Sequence, residues 1–472
     1  MNDSRFGSGR SNFTDSVRRI TPLAWPVLIG QLAVLAFATI DTVLLARYGA
    51  TDLAALAIGS AAFVTIFIGF MGVVMALAPI VGRRFGSGDL AGAGRDAHQA
   101  VWIAIALSFA GSALLLFPQP FLVLSQASPE VSAKVRGFLT ALAFSLPAAL
   151  LFTVYRAFNT AVSRPKAVMA LQLGGLALKV PLSSALVFGV PALGIPSLGV
   201  TGCGISTAVA MWAQVLLALW LLRRDAFYTP FALLGRGLDR PRLAAMKAQL
   251  KLGLPMGASI VIEVTGFAFM AIFIARLGTT AVAGHQLAAN LVSIMFMMPL
   301  ALGNATGTLV AQQLGAGDSR AAERLAWHGV VLGTGISLLM ALALLAGRDG
   351  VLGLYTSDGA VLAAALPLLA WLAVFHVADA AQTVVVFVLR AYHVAVGPLV
   401  IYVAALWGVG LGGGWLLAFD TSGHVPAAWR GAPGYWVAAT AGLVLAAVAL
   451  SAFMAWVLRQ ARESRSPQRA PA

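Results

Sequence analysis

ARYGATDLA at residues 46–54 returns in altered form as ARLGTTAVA at residues 275–283. The separation is 275 − 46 = 229 residues, and it recurs. VGRRFGSGD (81–89) matches VAQQLGAGD (310–318) at that spacing, and Pro26 matches Pro255. Further along, YRAFNTAV (155–162) pairs with LRAYHVAV (389–396), and WLLRR (220–224) with WVLRQ (456–460). One half of the chain is a copy of the other. The nature of the copied unit follows from the residues between the matches.

Those residues are overwhelmingly apolar. Of 472 residues, 60% are hydrophobic and 10% charged, and the mean hydropathy is +0.89. A water-soluble chain of this size has too few polar groups to cover so much apolar surface. Phe63–Val81 and Gly329–Ala346 carry no charge and are long enough to cross a bilayer. Charged or Pro/Gly-rich breaks divide the chain into twelve apolar segments: 21–46, 53–80, 97–118, 134–157, 166–190, 199–222, 250–276, 282–311, 324–346, 360–389, 397–419 and 434–458. The expectation is an all-α polytopic membrane protein with twelve transmembrane helices in two pseudo-symmetric six-helix bundles. An even number of spans leaves both copies running in the same direction. Such parallel repeats are a transporter architecture with sites near the bilayer midplane. The expected organisation is an N-tail (1–20), an N-lobe of helices one to six (21–224), a linker (225–249), a C-lobe of helices seven to twelve (250–460) and a C-tail (461–472).

The net charge of +14 is distributed by sidedness. Arg83, Arg84 and Arg95, then Arg164 and Lys166, then Arg223, Arg224, Arg236, Arg240, Arg242, Lys247 and Lys251 occupy one set of connections. The tails carry Arg5, Arg10, Arg18 and Arg19 at one end and Arg459, Arg462, Arg465 and Arg469 at the other. The opposite connections, around 189–199 and 419–432, hold almost no basic residue, which puts both termini in the cytoplasm. No basic stripe interleaved with aromatics exists, so no nucleic-acid partner is expected. The basic first twenty residues lack a small-residue cleavage site and read as a retained tail. Cys203 is the sole cysteine, which rules out an internal disulfide, and six histidines without metal-site spacing argue against a structural metal. FGSGD and LGAGD lack the Lys-Ser/Thr of a phosphate loop, so neither ATP nor another cofactor is expected. Energy must then come from an ion gradient.

FHVADAAQTVVVFVLRAYH (375–393) places Asp379 in apolar sequence with His376 and Gln382 one helical turn to either side. Glu263, in SIVIEVTGF, stands about ten residues, or about 15 Å of rise, inside the seventh segment. Asp41, in AFATIDTVLLARYG, corresponds to Met270 in the other copy, and Glu263 corresponds to Val34. These acids were therefore not inherited by both halves, and each serves its own lobe. A carboxylate in hydrocarbon is expensive and marks function more often than a helix–helix hydrogen bond. Lys179, in LGGLALKVPLSS, requires a nearby anion or a wet space to snorkel into. Pairing with Asp41 and snorkelling stay open as alternatives. Gln31, Asn159, Gln172, His285, Gln286, Asn290, Asn304 and Gln382 either line a wet interior or bond neighbouring helices. His376 reads first as a helix-contact residue. Asp358, in LYTSDGAV, reads first as the cap of the tenth helix, with a binding role as the alternative. Arg47, Arg156, Arg276 and Arg390 read as interface anchors near helix ends.

LGTTAVAGHQLAANLVSIMFMMPLALGNATGTLVAQQLGAGD (277–318), the early helix with Pro26 and Asp41 separated by fourteen residues, and DAAQTVVVFVLRAYH resemble the multidrug and toxic compound extrusion (MATE) family. The resemblance covers about residues 20–460, and carboxylates in both the seventh and tenth helices are closer to its NorM-like branch than to its DinF-like branch. It implies a V-shaped pair of six-helix bundles in the bacterial inner membrane, monomeric among its lipids, expelling lipophilic cations in exchange for Na⁺ or H⁺. It further implies that Glu263 and Asp379 form the C-lobe cation site, where Na⁺ binds transiently in sodium-coupled relatives, and that Asp41 is the N-lobe acid. Relatives often carry Tyr where this chain has Phe375, and an Asn-rich motif where it has Lys179 to Ser183. Both departures favour protons as the coupling ion. The rivals are a lipid-linked precursor flippase, which needs several cationic groups for its anionic cargo, and an intramembrane enzyme, which needs a nucleophile–base pair or a metal cluster.

Overall fold

The computed structural model describes residues 12–125, 127–234, 237–421 and 423–463. Arg5, Arg10, Arg236, Arg465 and Arg469, used above for sidedness, lie outside the described residues, as do most of the 1–20 and 461–472 tails.

Twelve helices are long and apolar enough to cross a bilayer: α1 (Phe13–Tyr48), α2 (Ala50–Gly86), α3 (Leu90–Leu116), α4 (Pro129–Ala161), α5 (Pro165–Phe188), α6 (Gly199–Arg224), α7 (Leu243–Ala275), α8 (Thr279–Gly315), α9 (Ser319–Ala346), α10 (Gly359–Ala391), α11 (Val396–Ala418) and α12 (Ala432–Glu463). Each corresponds to one of the apolar segments. Most extend beyond them, because a helix continues into polar sequence where hydropathy stops. Helices suit this environment because every backbone donor finds its acceptor within the same segment. Among the described residues the only β pairing is an isolated bridge between Val190 and Ile195.

The repeated FGSGD and LGAGD turns have a local cause. Gly88 and Gly317 take φ values of +79° and +84°, the left-handed region open to glycine. The following Asp89 and Asp318 then cap the next helix, each Oδ1 accepting a backbone N–H three residues on, from Gly92 and Ala321, at 2.8 Å. The motif is a helix-reversal device, used twice.

The chain divides into two compact units, Ile29–Gly257 and Met1–Leu28 with Ala258–Ala472. The boundaries are 257 − 28 = 229 residues apart, the repeat spacing again, and each falls two residues after a repeated proline, Pro26 or Pro255. Each copy has exchanged the beginning of its first helix. In the C-terminal unit, Ile20 and Ala24 of α1 join a core with Leu302, Leu309, Val388 and Met454. Ser16 Oγ also meets His328 Nδ1 at 2.7 Å there. In the N-terminal unit, the start of α7 lies on α2 so closely that a Cβ built on Gly253 or Gly257 would stand 2.5 Å from the carbonyl oxygen of Val73 or Gly69. The preceding connection is strapped along α3. Trp102 Nε1 donates to Asp239 O (2.9 Å), Gln99 Nε2 to Arg240 O (3.2 Å) and Arg242 N to Gln99 Oε1 (2.7 Å).

Helix α11 departs from α geometry, winding as a π-helix over Val403–Gly412, a form seen mostly in short stretches near functional sites.

Overpacking of a tight helix contact costs about 1–3 kcal/mol. Gly253→Val and Gly257→Val should each lower the melting temperature of the purified protein, followed by fluorescence-detected size exclusion. Unchanged midpoints in both would refute the close seating of α7 on α2.

Candidate functional site: one charged cluster in each unit

In the C-terminal unit, α10 is buried at most positions along Leu368–Leu389, its polar residues His376, Asp379, Gln382 and Thr383 among them. Asp379 retains 4% of its exposure, and its Oδ1 accepts from Gln382 Nε2 at 2.8 Å. Gln382 Nε2 also lies 3.2 Å from Thr383 Oγ1, while its Oε1 accepts from the Tyr402 hydroxyl at the head of the π-helical stretch. Glu263, half-buried on α7, faces the same Gln382 and lies within electrostatic reach of both Asp379 and Arg390. The Arg390 guanidinium rests over the Phe387 ring (4.8 Å) and also faces Tyr402. Trp407 Nε1 donates to the carbonyl of Ile262, next to Glu263, at 3.1 Å and so ties the π-helical segment to the acid-bearing turn. Two carboxylates, one guanidinium and a bridging amide thus converge on α7, α10 and α11.

The neighbouring candidates divide. Phe375 is buried edge-on against Phe267 (5.6 Å) and Trp436 (5.8 Å). It contributes an aromatic wall and no oxygen. His376 is fully buried, and neither ring nitrogen has a hydrogen-bond partner among the described residues. Gln286 and Asn290 are exposed on α8, with Asn290 Oδ1 accepting from the Tyr355 hydroxyl at 2.9 Å, and the structure does not join them to the acids. Asp358 caps α10, accepting from Ala360 N at 2.8 Å. Arg390, read from sequence as an interface anchor, instead faces Glu263, because the helix end that carries it is packed inside the unit.

In the N-terminal unit the deep acid has a basic partner. Lys179 Nζ donates to Asp41 Oδ2 at 2.7 Å and to Thr207 Oγ1 at 2.6 Å, and it lies 5.0 Å from the Phe37 ring centroid. Lys179 is 1% and Asp41 6% exposed, so the pair is sealed from bulk solvent and its attraction is little screened. Asp41 also faces Cys203 and Ser183, and Ser183 Oγ and Ser206 Oγ share a hydrogen bond at 2.6 Å. Snorkelling, the other sequence reading of Lys179, does not describe this side chain.

Sequence reasoning did not reach Tyr402, Trp407, Thr207 or the bridging role of Gln382 between acid and tyrosine. Tyr and Trp in an apolar helix look like ordinary packing, and only the polar end of each ring distinguishes them. Among the described residues, no three His, Cys, Asp or Glu side chains gather at metal-holding distance.

A duplicated twelve-helix chain with interior charged residues in each half belongs to the class of polytopic membrane transport proteins. The MatE family model matches residues 26–184 and again 255–416, with starts 255 − 26 = 229 residues apart, and the chain belongs to this family. It is 39% identical to a probable multidrug resistance protein NorM of Aromatoleum aromaticum, over 92% of each chain. It is 32% identical to the multidrug resistance protein PmpM of Pseudomonas aeruginosa, over 95% of this chain and 92% of that one. The fold matches crystal structures of the Vibrio cholerae MATE transporter VcmN in its bent form (TM-score 0.81, 20% identity, 95% and 98% coverage) and of the eukaryotic MATE transporter AtDTX14 (TM-score 0.83, 20% identity, 96% and 99% coverage).

Removing one member of a buried ion pair costs about 3–5 kcal/mol, because the other charge is left unpaired. Lys179→Met and Asp41→Leu should each be strongly destabilising, whereas the two together should recover most of the loss. A double-mutant cycle on melting temperature reads this directly, and strict additivity would refute the pairing.

Proposed function

We propose that this protein is a secondary active efflux antiporter that exports lipophilic, often cationic compounds in exchange for an entering cation. The observation that carries the reading is the C-terminal cluster. Glu263 and Asp379 share one amide and only Glu263 faces a guanidinium, so with both acids ionised the group holds an unbalanced negative charge. A cation entering from either side of the membrane neutralises it. Names of relatives add support: proteins 39% and 32% identical across nearly the whole chain are multidrug resistance proteins.

Coupling then needs no second mechanism. A ligand shifts a conformational equilibrium only by binding its states unequally. If ion and drug compete for the same two carboxylates, the ion's release admits the drug, and the ion's return expels it. Access to the acids must alternate between the two faces of the membrane. Two features favour H⁺ over Na⁺. Sodium needs several oxygen ligands, yet Phe375 offers none and Gln382 Oε1 is already engaged by Tyr402. A proton needs only a carboxylate. In the N-terminal unit Lys179 pairs with Asp41, which supports Glu263 and Asp379, more than Asp41, as the exchanging acids.

The proposed setting is the bacterial inner membrane with both termini cytoplasmic, as a monomer among lipids, with no nucleotide and no nucleic acid taking part. The flippase reading, which needs several cationic groups, loses weight because Lys179 is held by Asp41.

The test is export of a fluorescent lipophilic cation from proteoliposomes under an imposed proton gradient or sodium gradient. The expected result is export driven by protons alone, reduced at least about tenfold in Asp379→Asn and in Glu263→Gln without loss of folded protein. Sodium-driven export would reassign the ion, and undiminished export in both variants would refute the role of the cluster.

A further inference from the structure

The repeat leaves a charge unaccounted for. Arg156 and Arg390 hold the same place in YRAFNTAV and LRAYHVAV. Arg390 faces Glu263. The counterpart of Glu263 in the first copy is Val34, since 263 − 229 = 34, so the acid that Arg156 would meet is missing. The acids along the N-terminal unit have other partners. Asp41 is held by Lys179, Asp52 and Glu130 by Lys134, Asp89 and Asp96 by Arg84, Asp225 by Arg164 and Asp239 by His98. Arg156 itself is half-buried on α4. Among the described residues its guanidinium reaches only the sulfur of Met75 (Nη2 to Sδ, 3.8 Å), and Nε is enclosed without a partner. A thioether is a weak acceptor and supplies no counter-charge.

Guanidinium does not shed its proton in proteins, so this charge cannot be removed by deprotonation as a lysine's can. The helix C-terminal dipole near it offers only part of a charge. With Lys179 and Asp41 cancelling, the interior of the N-terminal unit keeps one positive charge and lacks the anion that balances it. We infer that Arg156 is an anion-binding residue, and that the N-terminal unit takes an oxyanion, the carboxylate of an amphipathic small molecule or the phosphate of a lipid headgroup, in the place where the other copy has its own glutamate. A planar guanidinium with free N–H groups suits either by paired charge-assisted hydrogen bonds. Half-burial leaves the group reachable. The inference concerns binding and stands whether or not the protein exports cations.

Two variants test it from opposite directions. Arg156→Gln removes the charge. Val34→Glu keeps Arg156 and restores the acid found in the other copy, at a position 42% exposed where a longer side chain has room. Full-length protein in nanodiscs of neutral phosphatidylcholine is titrated with 2-naphthoate as the soluble probe. In parallel, protein from phosphatidylglycerol nanodiscs is examined by native mass spectrometry for a retained anionic lipid. Monodisperse elution establishes that each variant is folded, and Val34→Glu carries the test if Arg156→Gln is not. The expected result is naphthoate binding at least about tenfold weaker in the variants than in the parent chain, which makes the ligand a soluble carboxylate. Loss of one retained phosphatidylglycerol, with no naphthoate binding by any form, makes it a lipid headgroup. Parent and variants alike in both arms overturn the inference.

Discussion

A charge carried into a bundle of apolar helices needs a counter-charge or a set of hydrogen bonds close by, because no mobile solvent is present to take up its field. The interior of this protein is arranged around that requirement. Lys179 meets it with Asp41 and Thr207, an arrangement complete within three neighbouring helices. Glu263 and Asp379 meet it only in part. Gln382 and Arg390 quiet them without balancing them, and the proposed cation would balance the remainder. The deep acid of one unit is thus paired with a lysine, whereas the two acids of the other share a single arginine. The difference comes from which acid each copy of the repeat kept.

Packing explains how such charges can be held at all. Close helix contacts exclude water and fix side-chain directions, and the glycines of α7 against α2 are one example. The first part of α7 is built into the N-terminal unit and the first part of α1 into the C-terminal one, with each change of unit just past a repeated proline. A proline inside a helix removes a backbone hydrogen bond and introduces a bend, so these are the natural places for a helix to leave one packed body for another. The π-helical stretch of α11 acts locally in the same sense. It brings the Tyr402 hydroxyl to Gln382 and the Trp407 indole to the turn that bears Glu263.

The duplication gave each half the same scaffold and left the polar residues free to diverge. FGSGD and LGAGD remain because a left-handed glycine followed by a capping aspartate is a backbone requirement of the helix reversal. Asp41 and Met270, or Glu263 and Val34, differ because nothing in the scaffold demands a carboxylate there. The turns that persist across the repeat mark structure, and the carboxylates that differ between the copies mark the candidate site.

Twelve spans, their duplication and their all-helical nature were legible in the sequence alone. Hydrophobicity over a bilayer's thickness and a fixed repeat spacing are properties of the chain read in order. The deep acids stood out for the same reason, as polar residues in apolar runs. Partnership was not legible. Arg390 looked like an anchor and faces an acid, Tyr402 and Trp407 looked like packing and reach the acid cluster, and Lys179 had two readings until its nitrogen was placed 2.7 Å from Asp41. Those facts join residues that lie far apart along the chain, and their energies depend on distances of a few ångströms. Sequence order determined which residues enter the membrane, and only the tertiary structure decided which charges meet there.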